Sequence, residues 1–231
     1  MNIIKITCCT LFTLFMFTSL LAQDWANLKR FQKENSELKL PTTGEHRVVF
    51  MGNSITEFWL QQRPQFFNNK PYINRGISGQ TTPQMVLRFR QDVVHLKPSI
   101  VVILAGINDI AGNTGPSTLQ MIMDNIISMT ELAKSNNIKV IVCSVLPANN
   151  FPWKKKMKPA EKVIELNTMI KSYADQNNIT YVDYFSAMVN TSNGLQKDLG
   201  DDGVHPNAKG YAIMEPILET AIEITLKKID D

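Results

Sequence analysis

Four short stretches of this chain gather residues that do chemistry, and the first three follow apolar runs. The first is Met51-Gly52-Asn53-Ser54-Ile55-Thr56. A serine between a buried strand and a helix sits on a sharp turn with its hydroxyl exposed and its N–H at the helix start, as a serine nucleophile requires. Gly52 lets the backbone turn there. Taken alone, Gly-Asn-Ser is weak evidence for a nucleophile, and a helix N-cap is the better reading of the serine. The second stretch runs from Asn74 to Thr82. Gly79 lacks a Cβ, so its N–H can approach a reacting oxygen; a turn glycine before a helix capped by Thr81 or Thr82 is an equal explanation. The third is Ala105-Gly106-Ile107-Asn108-Asp109. The Asn108 amide can donate to a developing oxyanion, a contact worth about 2.7–4 kcal/mol in a reference serine protease, or it can close an Asx turn. The fourth is Asp201-Asp202-Gly203-Val204-His205-Pro206-Asn207. Asp202 and His205 lie three apart across a glycine-containing turn. The carboxylate can therefore hold Nδ1–H and leave Nε2 to take a proton. Pro206 fixes the exit into the last helix. His46 and His95 read as ordinary histidines. Each stretch is ambiguous by itself; together they supply a nucleophile, a base, its orienter and three oxyanion donors in consistent order.

The elements that must position these groups follow from the apolar pattern. Arg47–Met51, Tyr72–Asn74, Ser99–Ala105, Ile138–Leu146 and Thr180–Val182 read as strands. They alternate with helical spacing over Asp24–Leu38, Pro83–Leu96, Ser117–Asn136, Lys158–Asn177 and Asn207–Ile229. Strands apolar throughout, alternating with helices, predict a parallel sheet covered on both faces. Ligands of such sheets bind beyond the carboxyl ends of the strands, where all four stretches fall. Ala148–Lys158 is the longest irregular stretch, and long loops in compact domains are often functional.

Composition narrows the function classes. The 231 residues suit one domain, with 44% hydrophobic and 19% charged residues. A net charge of +3 is too small to imply a nucleic-acid partner. Lys154-Lys155-Lys156 reads as a solvated loop. Residues 1–22 combine Lys5 with an apolar stretch ending at Ala22, the pattern of an export signal peptide, so the mature domain is 23–231. An uncleaved membrane anchor is the rival reading. Without the leader only Cys143 remains of three cysteines, which excludes an intramolecular disulfide; in the run Val140–Leu146 it reads as a buried hydrophobe. Three histidines without metal-ligand spacing make a zinc site improbable.

Gly-Asn-Ser-Ile, Asn-Arg-Gly-Ile-Ser-Gly-Gln-Thr-Thr, Gly-Ile-Asn-Asp and Asp-Gly-Val-His-Pro-Asn, in that order from Gly52 to Asn207, resemble the four blocks of the SGNH/GDSL hydrolases. Asn53 stands where the better-known form of the first block has Asp. The resemblance implies a three-layer α/β/α sandwich with a central parallel sheet, of flavodoxin-like type. Position by position it implies Ser54 as nucleophile, His205 as base and Asp202 as its orienter. It further implies an oxyanion hole of the Ser54 and Gly79 N–H groups with Asn108 Nδ2. No metal or organic cofactor is required.

With the leader, the resemblance points to an exported enzyme, periplasmic or extracellular, that removes O-acetyl groups from carbohydrates. Trp59, Phe151 and Trp153 could form an aromatic platform for sugar rings, although Trp59 reads equally as core packing. A lipid-directed esterase, such as a lysophospholipase or a platelet-activating-factor-type acetylhydrolase, is the alternative enzyme. A catalytically silent glycan-binding module on the same fold is the alternative of another class. Oligomeric state is not legible in the sequence.

Overall fold

The computed structural model describes residues 24–230, so the leader-like residues 1–22 lie outside it. The elements in chain order are α1 (Gln32–Glu37), β1 (Val48–Gly52), α2 (Ser54–Gln62), β2 (Tyr72–Gly76), α3 (Thr82–Asp92), β3 (Ile100–Leu104), α4 (Ile107–Ile110), α5 (Leu119–Lys134), β4 (Lys139–Cys143), α6 (Ala160–Gln176), β5 (Thr180–Val182), α7 (Tyr184–Met188) and α8 (Ala208–Asp230). The five strands form one parallel sheet in the order β2-β1-β3-β4-β5. Every residue of β1 and β3 is buried, as the uninterrupted apolar runs require of strands covered on both faces. Helices α3, α5 and α6 pack against one another in one layer, and α2, α7 and α8 in the other.

The strand order places the site. From β1 the chain goes outward to β2, then returns across β1 to β3. The crevice beyond the carboxyl ends of β1 and β3 is therefore the topological switch point, where ligands of open α/β sheets bind. At this end of β1 the packing is tight. A Cβ on Gly52 would lie 2.0 Å from Thr56 Oγ1 and 2.9 Å from the Leu104 carbonyl. The glycine expected to ease a turn is thus required by close approach of the first turn of α2 and of β3.

Two helices differ from expectation. The helix expected over Asp24–Leu38 is confined to Gln32–Glu37. Asp24 accepts the N–H groups of Leu28 and Lys29 on its carboxylate, and Asn27 adopts φ 55°, so local turns replace a helix there. Three glutamines of and beside α3 clasp this segment: Gln84, Gln80 and Gln91 donate to the carbonyls of Trp25, Ala26 and Leu28 at 2.6, 2.7 and 2.5 Å. The helix expected over Pro83–Leu96 ends at Asp92 and resumes as a short 3₁₀ turn, Val94–Leu96. Cys143 is buried in β4, and burial pushes its thiol up to about 12. Among the described residues no helix is long and apolar enough to cross a membrane.

The contact at Gly52 yields a direct test. Gly52→Ala should lower the urea unfolding midpoint by the equivalent of about 1–3 kcal/mol, the cost of overpacking.

Candidate active site

The nucleophile candidate owes its freedom to its neighbour. Asn53, not Ser54, caps α2: its Oδ1 accepts the Ile55 N–H at 3.1 Å. An aspartate would cap through the same oxygen, which accounts for the interchange at this position. Ser54, at the first helical position, points its Oγ to His205 Nε2 at 2.9 Å.

The loop of His205 is built around one carboxylate. Asp202 Oδ1 accepts the N–H groups of Val204 and His205 at 2.9 and 2.8 Å, and Oδ2 lies 2.6 Å from His205 Nδ1. An ionised carboxylate only accepts, so Nδ1 carries the proton and Nε2 accepts from the Ser54 hydroxyl. Burial pushes Asp202 upward, but the His205 N–H, the imidazole and the Val204 N–H outweigh it and hold the carboxyl below its ordinary 3.8. A bridge between Gly200 and Pro206 closes the loop. Asn207 Oδ1 then takes the N–H groups of Lys209 and Gly210 and starts α8. Tyr211, one turn into α8, donates to the Ile55 carbonyl at 2.7 Å, tying this helix to the first turn of α2.

Across the crevice, Gly79 is exposed with φ +77°. A Cβ there would meet nothing within 4 Å, so this position needs glycine for its left-handed backbone and not for space. Its N–H has no protein acceptor among the described residues, and its carbonyl accepts from Asn113 Nδ2 at 3.2 Å. Asn108, at the start of α4, is buried and donates from Nδ2 to the Gln80 carbonyl at 3.0 Å. The amide carries a second hydrogen, which that bond does not use.

The aromatic expectation divides. Trp59 is 2% exposed, stacked on Phe66 and Tyr211, with its indole N–H on Glu215. It is core and cannot face a substrate. Phe151 is fully buried as well. Trp153 differs: it is 48% exposed, stacks on Phe151, and its ring centre lies 6.2 Å from that of His205. Phe58 lies 5.3 Å from the imidazole centre. Lys154, expected in a solvated loop, is half-buried with Nζ on the carbonyls of Ala111 and Gly112, so it fastens the Trp153 loop to the segment after β3.

Several supporting residues have no counterpart in the expectations. Asp109 is 2% exposed and accepts the Thr82 N–H at 3.0 and 3.1 Å and the Thr82 hydroxyl at 2.6 Å. It thereby joins the loop after β3 to the start of α3. Arg88 and Asp92 are buried on α3 as an ion pair. The signal for these two was present: positions 85, 88, 89 and 92 form one helical stripe, and charges four apart on an apolar stripe require buried partners.

The sequence profile of the GDSL-like lipase/acylhydrolase family matches residues 50–213, a span that includes all four loops. An acylhydrolase of Bacteroides fragilis superposes with a TM-score of 0.87 and 49% identity over 88% of this chain and 99% of that one. The isoamyl acetate-hydrolyzing esterase of Saccharomyces cerevisiae is 23% identical over 77% of this chain and 86% of its own length. The acetylxylan esterase of Xylanibacter ruminicola is 26% identical over 91% of this chain, which spans 49% of that enzyme.

Two outcomes follow from this geometry. Asp202→Asn keeps the loop but removes the acceptor that fixes the imidazole tautomer; kcat/KM on an aryl acetate should fall by about 10²–10⁴-fold. Asp109 is pushed by burial up to about 6, against the pull of the Thr82 donors. A carboxyl raised on folding contributes stability that is complete below its unfolded value and lost as pH rises through about 6. Asp109→Asn should therefore flatten the fall in Tm between about pH 4 and 6, as read by calorimetry across that range.

Proposed function

This chain belongs to the GDSL-like lipase/acylhydrolase family and is a carboxylic ester hydrolase, and we propose that it works through Ser54, His205 and Asp202 to remove O-acetyl groups from carbohydrates. The observation that carries the mechanism is the continuous hydrogen-bonded line from Ser54 Oγ through both ring nitrogens to Asp202, at 2.9 and 2.6 Å. In this reading His205 Nε2 takes the Ser54 proton as Oγ attacks the ester carbonyl. The oxyanion meets the N–H groups of Ser54 and Gly79 and the second hydrogen of Asn108 Nδ2. The imidazolium, held by Asp202, returns its proton to the leaving alcohol. Water, deprotonated by the same nitrogen, then releases acetate and restores Ser54.

Two observations support a carbohydrate as the alcohol half. Trp153 offers a half-exposed indole face beside His205, backed by Phe151, and flat indole faces suit the apolar faces of sugar rings. A relative 26% identical over 91% of this chain is named an acetylxylan esterase. The reading also puts the enzyme's work outside the cytoplasm, on the strength of the leader-like residues 1–22.

Ser54→Ala should lower turnover of an aryl acetate by about 10⁴–10⁶-fold and abolish labelling by a fluorophosphonate probe. Absence of labelling in the folded wild-type protein would favour the glycan-binding module instead. Aryl esters of two, four, eight and twelve carbons should be cleaved with a sharp preference for acetate; rates that climb with chain length would turn the assignment to lipids. Trp153→Ala should raise KM for an acetylated oligosaccharide several-fold while changing kcat little, as expected for loss of uniform binding.

A further inference from the structure

Arg88 has no accessible surface, and its guanidinium is satisfied in three directions. Nη1 pairs with Asp92 Oδ2 at 3.1 Å, one turn along the same helix. Nε donates to Gln80 Oε1 at 2.6 Å, and Nη2 donates to the Gly52 carbonyl at 3.0 Å. The pairing with Asp92 neutralises the charge within α3. The other two bonds leave the helix and end on the last residue of β1 and in the loop that follows β2. Gln80 continues the line, because its own carbonyl accepts Asn108 Nδ2 from the loop after β3. An unbroken buried chain of hydrogen bonds thus runs from Gly52 through Arg88 and Gln80 to Asn108, across the carboxyl ends of three strands. It passes two residues before Ser54, one after Gly79, and ends on Asn108 itself.

We infer that Arg88 is a positioning residue for ester hydrolysis, which sets the mutual placement of the Ser54, Gly79 and Asn108 donors through Gly52 and Gln80. The inference rests on the oxyanion hole proposed above. Arg88 touches no reacting atom. Its effect comes from the rigid planar fork, whose Nε–H and Nη2–H leave in fixed directions; an ammonium offers one centre and cannot hold both acceptors at these angles. Donors aimed before charge develops need no reorganisation during reaction, and this is the source of oxyanion stabilisation. A displacement of about 1 Å costs on the order of 10²-fold in rate.

The test compares Arg88→Lys and Gln80→Met with Arg47→Lys. Arg47 is another buried arginine, held by the carbonyls of Leu96 and Lys39 at the far end of β1. Steady-state hydrolysis of an aryl acetate is measured well below each variant's Tm. Arg88→Lys and Gln80→Met should lower kcat by about 10- to 100-fold with KM within about threefold of wild type. Arg47→Lys should lower Tm and leave kcat unchanged. If Arg88→Lys does not fold, Gln80→Met decides beside Gln91→Met, which should keep wild-type kcat: each removes a clasp on the Trp25–Leu28 segment, and only Gln80→Met also removes the Arg88 acceptor, leaving the Arg88–Asp92 pair in place. Wild-type kcat in Gln80→Met, or a loss of kcat in Arg47→Lys as large as in the Arg88 and Gln80 variants, would overturn the inference. A fully active Ser54→Ala would overturn the serine mechanism on which this inference rests, whereas an inactive Ser54→Ala beside a fully active Gln80→Met would sink the Arg88 assignment alone.

Discussion

The hydrogen bond between Ser54 Oγ and His205 Nε2, 2.9 Å long, joins groups 151 residues apart, and no local structure can hold it. It exists only while α2 and α8 keep their relative positions. Trp59 of α2 stacks on Tyr211 of α8 with centroids 5.3 Å apart, and Tyr211 reaches the Ile55 carbonyl beside the serine. Glu215, one turn further along α8, takes both the Trp59 indole N–H and the Arg63 guanidinium. The aromatic stack supplies apolar burial, and the polar ends of the same residues set the register. Sliding either helix by a fraction of a turn would break these bonds together with the serine–histidine contact.

The polar groups around this bond are divided by solvent access. On the solvent side, Asp202, Gly79 and Trp153 are exposed and His205 is partly so. On the sheet side, Gln80, Arg88, Asp92, Asn108 and Asp109 are all below the surface, and each is hydrogen-bonded. Buried polar groups are costly unless satisfied, and fully satisfied networks are rigid. The solvent-facing candidate groups therefore stand on an inflexible polar floor. Loops that carry chemistry at the edge of a sheet need such a floor, because their own exposed backbones have few packing contacts.

Much of this arrangement was legible in the residues. Uninterrupted runs such as Ile100–Leu104 could only be covered strands, and the alternation with helices dictated a parallel sheet. The turn residues after β1, β2 and β3 carried polar groups now found together, whereas the Asp202–His205 loop follows the short helix α7 and not a strand. What escaped has identifiable physical causes. The Asp24–Leu38 pattern was helical in period, but a local Asp24 side-chain bond and a left-handed Asn27 interrupted it. Trp59 and Trp153 are the same residue type, and only the packing of α2 against α8 decides that one is core and the other faces solvent. The residues offered Ser54 as a cap, but asparagine caps as well as serine, and it is Asn53 that takes the Ile55 N–H. The buried Arg88 pair was visible as charge on an apolar stripe, yet its acceptors in Gly52 and Gln80 depend on long-range contacts that no local pattern encodes.

The tryptophans have a further, photophysical consequence. Trp59 is shielded within an aromatic stack and emits as an indole in an apolar medium, whereas Trp153 is solvated and its ring centre lies 6.2 Å from the imidazole of His205. A protonated imidazole withdraws electron density from a nearby excited indole and quenches it; a neutral one does so far less. Trp25 is as exposed as Trp153, so the red edge of the emission has two sources, and only the Trp153 share lies within reach of the imidazole beside Ser54. With Trp25 replaced by phenylalanine, that share would stand alone as an optical reporter of the imidazole proton, with neither substrate nor label.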